Sequence, residues 1–317
     1  MHPPIPFIVG VPRSGTTLLR LMLDAHPELS IPQETGFLPD ALKALAHAPA
    51  DPREAFRLAV ALSPAWDDLN LSQQAFRSAL AAIEPFDVGE GVRAFYRAYA
   101  GRFGKPRFGD RTPAYGAHLD SIQSILPEAR FIHLIRDGRD TALSITGLWF
   151  APGGEIEALA ADWRTRILRT RKLAKRCAHY LEIRYERLIA DAPLELRRVC
   201  EFIGLPYDPG MERYHESARS RLDEVKARRD DRGGVLVSKE ERLSQQRLAC
   251  RPPDPSRVLR WKRDMGADMR ERFEAVAGDL LQDLGYETGG PAPAASRRRL
   301  SSFFRRRRPT RGSASDP

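Results

Sequence analysis

Cysteine is scarce in this chain of 317 residues: only Cys177, Cys200 and Cys250, far apart and odd in number. That argues against a disulfide framework or a cysteine-ligated metal and fits free thiols in a reducing compartment. Long apolar runs are missing too, and none approaches the roughly 20 residues that span a bilayer. The opening Met1-His2-Pro3-Pro4-Ile5-Pro6 has neither a basic stretch nor a long apolar one. No secretory leader is therefore expected, and a cytoplasmic location is. Nor does the body carry charge of one sign. The net charge is +9, but residues 296–317 hold eight arginines against one acid, Asp316, so +7 sits in that tail and +2 on everything before it. A nearly neutral body gives no footing for specific nucleic-acid binding.

What is present alternates between two periodicities. Residues 7–10 form a short apolar run ending in glycine, which predicts a buried strand; a turn over 11–15 and a helix over about 16–25 follow. Residues 29–31 suit another short strand. From about 35 to 105 the apolar positions recur at helical spacing between proline breaks, predicting a helical insertion. Helices are expected over 119–126, 140–149, 156–177 and 193–203, with strands over 129–135 and 180–184. Strands alternating with helices predict an α/β fold with a P-loop-type parallel sheet flanked by helices on both faces. One domain is expected over 1–288. The Gly, Pro, Ser and Arg of 289–317 predict a disordered tail.

Gly10-Val11-Pro12-Arg13-Ser14-Gly15-Thr16-Thr17 has the glycine spacing of a phosphate-binding loop, G-x-x-x-x-G-K-[ST], with Thr16 in the place of lysine. That lysine reaches the outer phosphates of a nucleoside triphosphate, so its loss weakens a kinase or ATPase reading. The rest of the device is intact. Amides of residues 14–18 at a helix N-terminus, with the permanent charge of Arg13, suit an anion. A bare glycine pair would serve a tight turn equally well. The whole motif between a strand and a helix favours phosphate.

Residues 10–35 closely resemble the opening of the sulfotransferases that use 3′-phosphoadenosine-5′-phosphosulfate (PAPS), above all the tyrosylprotein sulfotransferases and their bacterial relatives. Residues 131–144, Phe-Ile-His-Leu-Ile-Arg-Asp-Gly-Arg-Asp-Thr-Ala-Leu-Ser, are similar to the family's strand-turn-helix that holds the 3′-phosphate, which implies that role for Arg136 and Ser144. An arginine at a strand's end and a serine in the next helix can converge on one phosphate. An ion pair of Arg136 with Asp137 or Asp140 is the competing reading. Residues 183–192 resemble the segment in which a tyrosine, here Tyr185, lies against adenine, although a core tyrosine fits as well. Residues 256–261 resemble the stretch that closes over the nucleotide. The resemblance implies PAPS binding by Arg13, Ser14, Gly15, Thr16, Thr17, Arg136, Ser144 and Tyr185, with no metal.

Family members with a Lys-Thr-His motif use the histidine as base. Here Arg111-Thr112-Pro113 stands at that place and closes that route. The tyrosylprotein-like branch uses a glutamate after the first helix, and Gln33-Glu34-Thr35 matches it. The resemblance thus implies in-line transfer to an acceptor hydroxyl, with Glu34 as general base and Arg13 and Arg111 on the transferring group. Leu259 stands where that branch has a serine, and its disulfide cysteines have no counterparts; both count against a protein tyrosine as acceptor. The acceptor stays open among peptide, glycan, lipid and small molecule. His26, His118 and His133 are expected in structural or surface roles. The alternatives are a nucleotide kinase with a degenerate loop and a non-catalytic nucleotide-binding scaffold; Arg13, Glu34 and Arg136 together favour an enzyme. In the tail, two arginine clusters flank Phe303 and Phe304. That pattern suits peripheral contact with an anionic membrane, a solvated tail or weak nucleic-acid binding being the other readings.

Overall fold

Strands with apolar residues on both faces need cover on both sides. A computed structural model, which describes residues 2–47, 49–229 and 233–289, provides it. Its strands are β1 (Ile5–Gly10), β2 (Leu29–Ser30), β3 (Arg107–Phe108), β4 (Asp110–Arg111), β5 (Ala129–Ile135), β6 (Tyr180–Arg184), β7 (Arg228–Arg229) and β8 (Val235–Val237). Four of them form a parallel sheet in the order β4-β1-β5-β6, with Ile8 level with Ile132 and Leu134 level with Ile183. A short parallel pair, β2 with β3, and an antiparallel hairpin, β7 with β8, lie outside it.

The helices are α1 (Thr16–Asp24), α2 (Leu38–Ala46), α3 (Pro52–Ala61), α4 (Trp66–Leu69), α5 (Gln73–Ala81), α6 (Val88–Gly101), α7 (Leu119–Ile125), α8 (Gly138–Ile145), α9 (Ile156–Ala174), α10 (Tyr185–Ala190), α11 (Ala192–Ile203), α12 (His215–Leu222), α13 (Lys239–Gln246), α14 (Trp261–Asp264) and α15 (Ala267–Asp283). On one face Ile8, Ile132, Leu134 and Ile183 bury against α1, α11 and α12. On the other, Phe7, Val9 and Phe131 meet the aromatic interior of the insertion, where Phe37, Phe95 and Tyr96 pack edge to face. A third cluster joins Ile135 to α8, α9 and α15 around Trp163 and Phe273. Each such fully buried side chain contributes about 1.5–3 kcal/mol, so the sheet's position is set mainly by these three clusters.

Local chemistry fixes the ends. In the insertion, Asp51, Ser72 and Asp87 cap α3, α5 and α6 by accepting from the amides of Glu54, Ala75 and Glu90. The helix expected over 140–149 instead runs over Gly138–Ile145. Asp137 accepts from Arg139 N–H at 2.9 Å and starts it early, and Gly147, at φ 77°, follows its end. Likewise α9 stops at Ala174 rather than 177. Strands β3, β4, β7 and β8 were not foreseen. The first two lie in Lys105-Pro106-Arg107-Phe108-Gly109-Asp110-Arg111, which has no alternating apolar pattern; the neighbours β2 and β1 supply their pairing. Gly109 permits this, because a Cβ there would come within 2.7 Å of the Pro6 carbonyl oxygen.

Cys177, Cys200 and Cys250 are free thiols. Among the described residues no helix is long and apolar enough to cross a membrane. The expected tail over 289–317, apart from Gly289, lies outside the described residues.

Candidate active site

The turn from β1 to α1 is built around two glycines. A Cβ on Gly10 would stand 2.6 Å from the Leu134 carbonyl oxygen, and one on Gly15 only 2.5 Å from the Tyr185 ring. Gly15 also sits at φ 101°, a conformation that L side chains rarely adopt. It occupies the N-cap position of α1 without a side chain to cap it. The first amides of α1 therefore face outward with no intrahelical acceptor, where the helix dipole favours an anion. Ser14 is buried, and its Oγ has no hydrogen-bond partner among the described residues, as expected of a group that meets a ligand oxygen.

Cations from separate elements converge on this turn. Half-buried Arg13 donates through Nε to Ser144 Oγ at 3.2 Å, joining the loop to α8. Arg136, at the end of β5, donates to the carbonyls of Arg13 at 3.2 Å and Arg257 at 2.7 Å, and its guanidinium lies 4.3 Å from the Tyr185 ring centroid. The anticipated ion pair with Asp140 forms, but only at 3.6 Å, while Asp137 turns to Arg139. Arg136 Nε remains unpartnered among the described residues. Burial, followed by the charges of Arg136, Arg111 and Arg257, lowers the pKa of Arg13. Guanidinium groups pressed together in this way define a cleft that favours negative charge. The cleft opens to solvent between Arg13, Thr16, Arg136, Ser144 and Tyr185 below and the segment running from Gln245 to Arg260 above.

Beside it stands a second constellation. Arg111, 3% exposed, donates through Nη1 to Glu34 Oε1 and through Nη2 to Thr17 Oγ1 at 2.9 Å. Glu34 keeps 52% of its side chain in solvent. A buried network fixes the turn that carries it. Thr35 donates its hydroxyl to Asp110 Oδ2 at 2.7 Å and its amide to Thr112 Oγ1 at 3.0 Å; Tyr96 donates to the same carboxylate oxygen at 2.9 Å. Burial raises the pKa of Asp110 to about 6, although these hydrogen bonds and Arg111 pull the other way.

All ten residues singled out from the sequence thus fall in or beside one region: the loop residues, Arg136, Ser144 and Tyr185 around the cleft, and Glu34 with Arg111 at its flank. The histidines stay away from it. His26 bonds the Pro206 carbonyl at 2.9 Å, and buried His133 meets Tyr180 OH at 2.6 Å, burial holding its pKa near 4. His118 is half-buried before α7. Sequence reasoning missed Tyr214 and the end of α13, whose Gln245 and Gln246 cover the cleft, and it missed Asp110. The last carried a signal, an acid directly before Arg111; the others carried none.

The model of the sulfotransferase family matches residues 4–209. The chain is 26% identical over 300 residues to protein-tyrosine sulfotransferase A of Caenorhabditis elegans, covering 92% of this chain and 69% of that one. To the nodulation protein NoeE of Sinorhizobium fredii it is 29% identical over 317 residues, covering 90% and 66%. Among solved structures, the sulfotransferase domain of the Synechococcus PCC 7002 olefin synthase superposes with a TM-score of 0.53 at 23% identity, over 90% of this chain and 97% of that one. The family match takes in β1, the turn from Gly10 to Gly15, Glu34, Arg111 and Arg136 together, and this chain belongs to the sulfotransferase family and is a sulfotransferase.

Proposed function

We propose that the donor is PAPS and that the chain transfers its sulfuryl group in line to an acceptor hydroxyl. The observation that supports this most is the convergence of Arg13, Ser144, Arg136 and Tyr185 around a helix N-terminus that lacks the lysine of triphosphate-binding loops. In this reading the amides of Gly15 to Leu18 hold the 5′-phosphate, Arg136 and Ser144 the 3′-phosphate, and Tyr185 the adenine. The orphaned Ser14 Oγ and Arg136 Nε fit a ligand rich in acceptor oxygens.

The acceptor oxygen attacks sulfur as the bond from sulfur to the bridging phosphate oxygen breaks, and adenosine 3′,5′-bisphosphate leaves. Glu34 takes the hydroxyl proton. Its carboxylate is half in solvent and hence reachable by an acceptor, while Arg111 holds one oxygen and leaves the other for the proton. Arg111 and Arg13 then stand beside the charge that develops on the sulfuryl and bridging oxygens. The relatives named protein-tyrosine sulfotransferases support a hydroxyl acceptor. Leu259, at φ 55° and 42% exposed, leaves a protein tyrosine unfavoured in this reading.

Binding of adenosine 3′,5′-bisphosphate without a metal, compared with ATP and Mg²⁺, tests the donor; metal-dependent ATP binding with none for the bisphosphate overturns it. Labelled PAPS incubated with cell extract then identifies the acceptor as protein, glycan, lipid or small molecule. For the tail, the proposal is a cytoplasmic enzyme held at an anionic membrane by its arginines. Salt-sensitive vesicle sedimentation of the full chain, lost on truncation at Gly289, is the expected result, and equal sedimentation of both chains rejects it.

A further inference from the structure

Asp68 lies on the four-residue helix α4, far in sequence from every motif, yet it is only 2% exposed. A carboxylate at that depth is costly unless matched. Its Oδ1 accepts from the Lys226 amide at 2.7 Å and from Arg242 Nη1 at 3.0 Å, and its Oδ2 accepts from Arg242 Nη2 at 2.8 Å. Arg228 Nη2 stands 3.6 Å from Oδ2. All three partners belong to one later stretch of chain, residues 226–242.

That stretch leads directly over the donor cleft. Gln245 and Gln246, which line the cleft, follow Arg242 within one turn of α13, and Leu248 and Ala249 come next. Helix α13 contains no buried residue, and Leu243 gives it only a partial apolar contact. Its position therefore depends largely on polar ties: the two-pronged grip of Arg242 on Asp68, the bond of Arg242 Nη1 to the Lys226 carbonyl at 2.6 Å, and Lys239 Nζ on the Asp223 carbonyl at 3.2 Å. The same carboxylate steadies Arg228, which also donates to the Pro64 carbonyl and lies within electrostatic reach of Glu34.

We propose that Asp68 is the positioning residue for the roof of the donor cleft: by gripping Arg242 and the Lys226 amide it holds α13 over the nucleotide and ties that roof to the insertion that begins beside Glu34. The inference rests on the nucleotide reading of the cleft. Hydrogen–deuterium exchange on the full chain without ligand reads the grip directly. In Asp68→Asn and Arg242→Gln, amides of residues 239–250 should exchange about tenfold faster while those of β1 and β5 hold their rates. The double variant Asp68→Asn/Arg242→Gln breaks the same grip without leaving a buried carboxylate unmatched, and unchanged exchange in β1 and β5 shows in each variant that the fold is kept. With adenosine 3′,5′-bisphosphate as probe, Arg242→Gln should release it about tenfold faster with association unchanged. Exchange over 239–250 or bisphosphate release at the wild-type rate in Arg242→Gln overturns the proposal. Should the wild-type chain fail to bind the bisphosphate, the donor reading falls, and exchange in the ligand-free chain still decides whether Asp68 holds α13.

Discussion

Arg136 lies over the ring of Tyr185, its guanidinium carbon 4.3 Å from the centroid, while its two terminal nitrogens are held by the carbonyls of Arg13 and Arg257. The stack and the two carbonyls fix the plane of the guanidinium, and its unpartnered Nε lies within that plane. A flat, oriented cation of this kind is not interchangeable with lysine. Both Arg136→Ala and Arg136→Lys should therefore weaken binding of adenosine 3′,5′-bisphosphate. The expected loss is about 1.5–3 kcal/mol, the range for a hydrogen bond to a charged group. Calorimetric titration checks it, and an affinity within twofold of wild type for Arg136→Lys rejects the planar role.

Glu34→Gln preserves shape and removes the proton acceptor. Turnover with PAPS should fall by about 10²–10⁴, the range for loss of a general base, with bisphosphate affinity almost unchanged. Single-turnover assays separate the two quantities. Near wild-type turnover would remove Glu34 from the chemistry.

Gly15→Ala combines a strained φ of 101° with a Cβ 2.5 Å from the Tyr185 ring. A cost of about 1–3 kcal/mol is expected from the backbone alone. Tyr185 is itself buried in the core, so the contact is read in a Tyr185→Ala background, where Gly15→Ala should lower the melting temperature by less than in wild type but not by zero. No effect of Gly15→Ala in that background would show that the contact alone matters.

Asp110 predicts a pH dependence of known sign. Its folded pKa is raised by burial from 3.8 to about 6, so protons bind the folded state more tightly than the unfolded one. Its contribution to stability is fully present below about pH 4 and is lost as pH rises through 6. Asp110→Asn can still accept from Thr35 and Tyr96 and does not titrate. The variant should gain on wild type by roughly 1–3 kcal/mol between pH 4 and 7, read from denaturation midpoints. Buried His133, with its pKa lowered to about 4, shifts stability the opposite way over this range, but equally in both proteins. A difference that stays constant with pH would reject the assignment.

The sequence revealed those parts of the fold whose residues explain themselves locally. Phe7-Ile8-Val9 and Phe131–Ile135 are apolar enough to require cover on both faces, and the glycine spacing between Gly10 and Gly15 marks the turn. Arg136 and Ser144 stood out only through the resemblance of residues 131–144 to the family's strand-turn-helix; spacing alone left an ion pair as the better reading of Arg136. Strand β4 was not, although it carries Arg111: two polar residues become a strand only because β1 offers them an edge. Asp68 was equally hidden, since its partners lie more than 150 residues away, and nothing around Trp66-Asp67-Asp68 distinguishes it from a solvated acid. Polar groups matched across long sequence separations leave no periodic trace.

Glu34 and Arg111 bracket the helical insertion, one just before its first helix and the other just after its last, and they meet side by side. The insertion thus starts and ends beside one polar contact, which Arg111 extends to Thr17 at the start of α1. Closing a long loop at fixed ends costs free energy that grows only with the logarithm of its length. A change of length is thus cheap in closure, but the insertion's aromatic interior covers Phe7, Val9 and Phe131, so only an exchange that keeps this apolar face should leave β1 and β5 in place. Chimeras cut at residues 36 and 109 that retain this face test whether the insertion selects the acceptor.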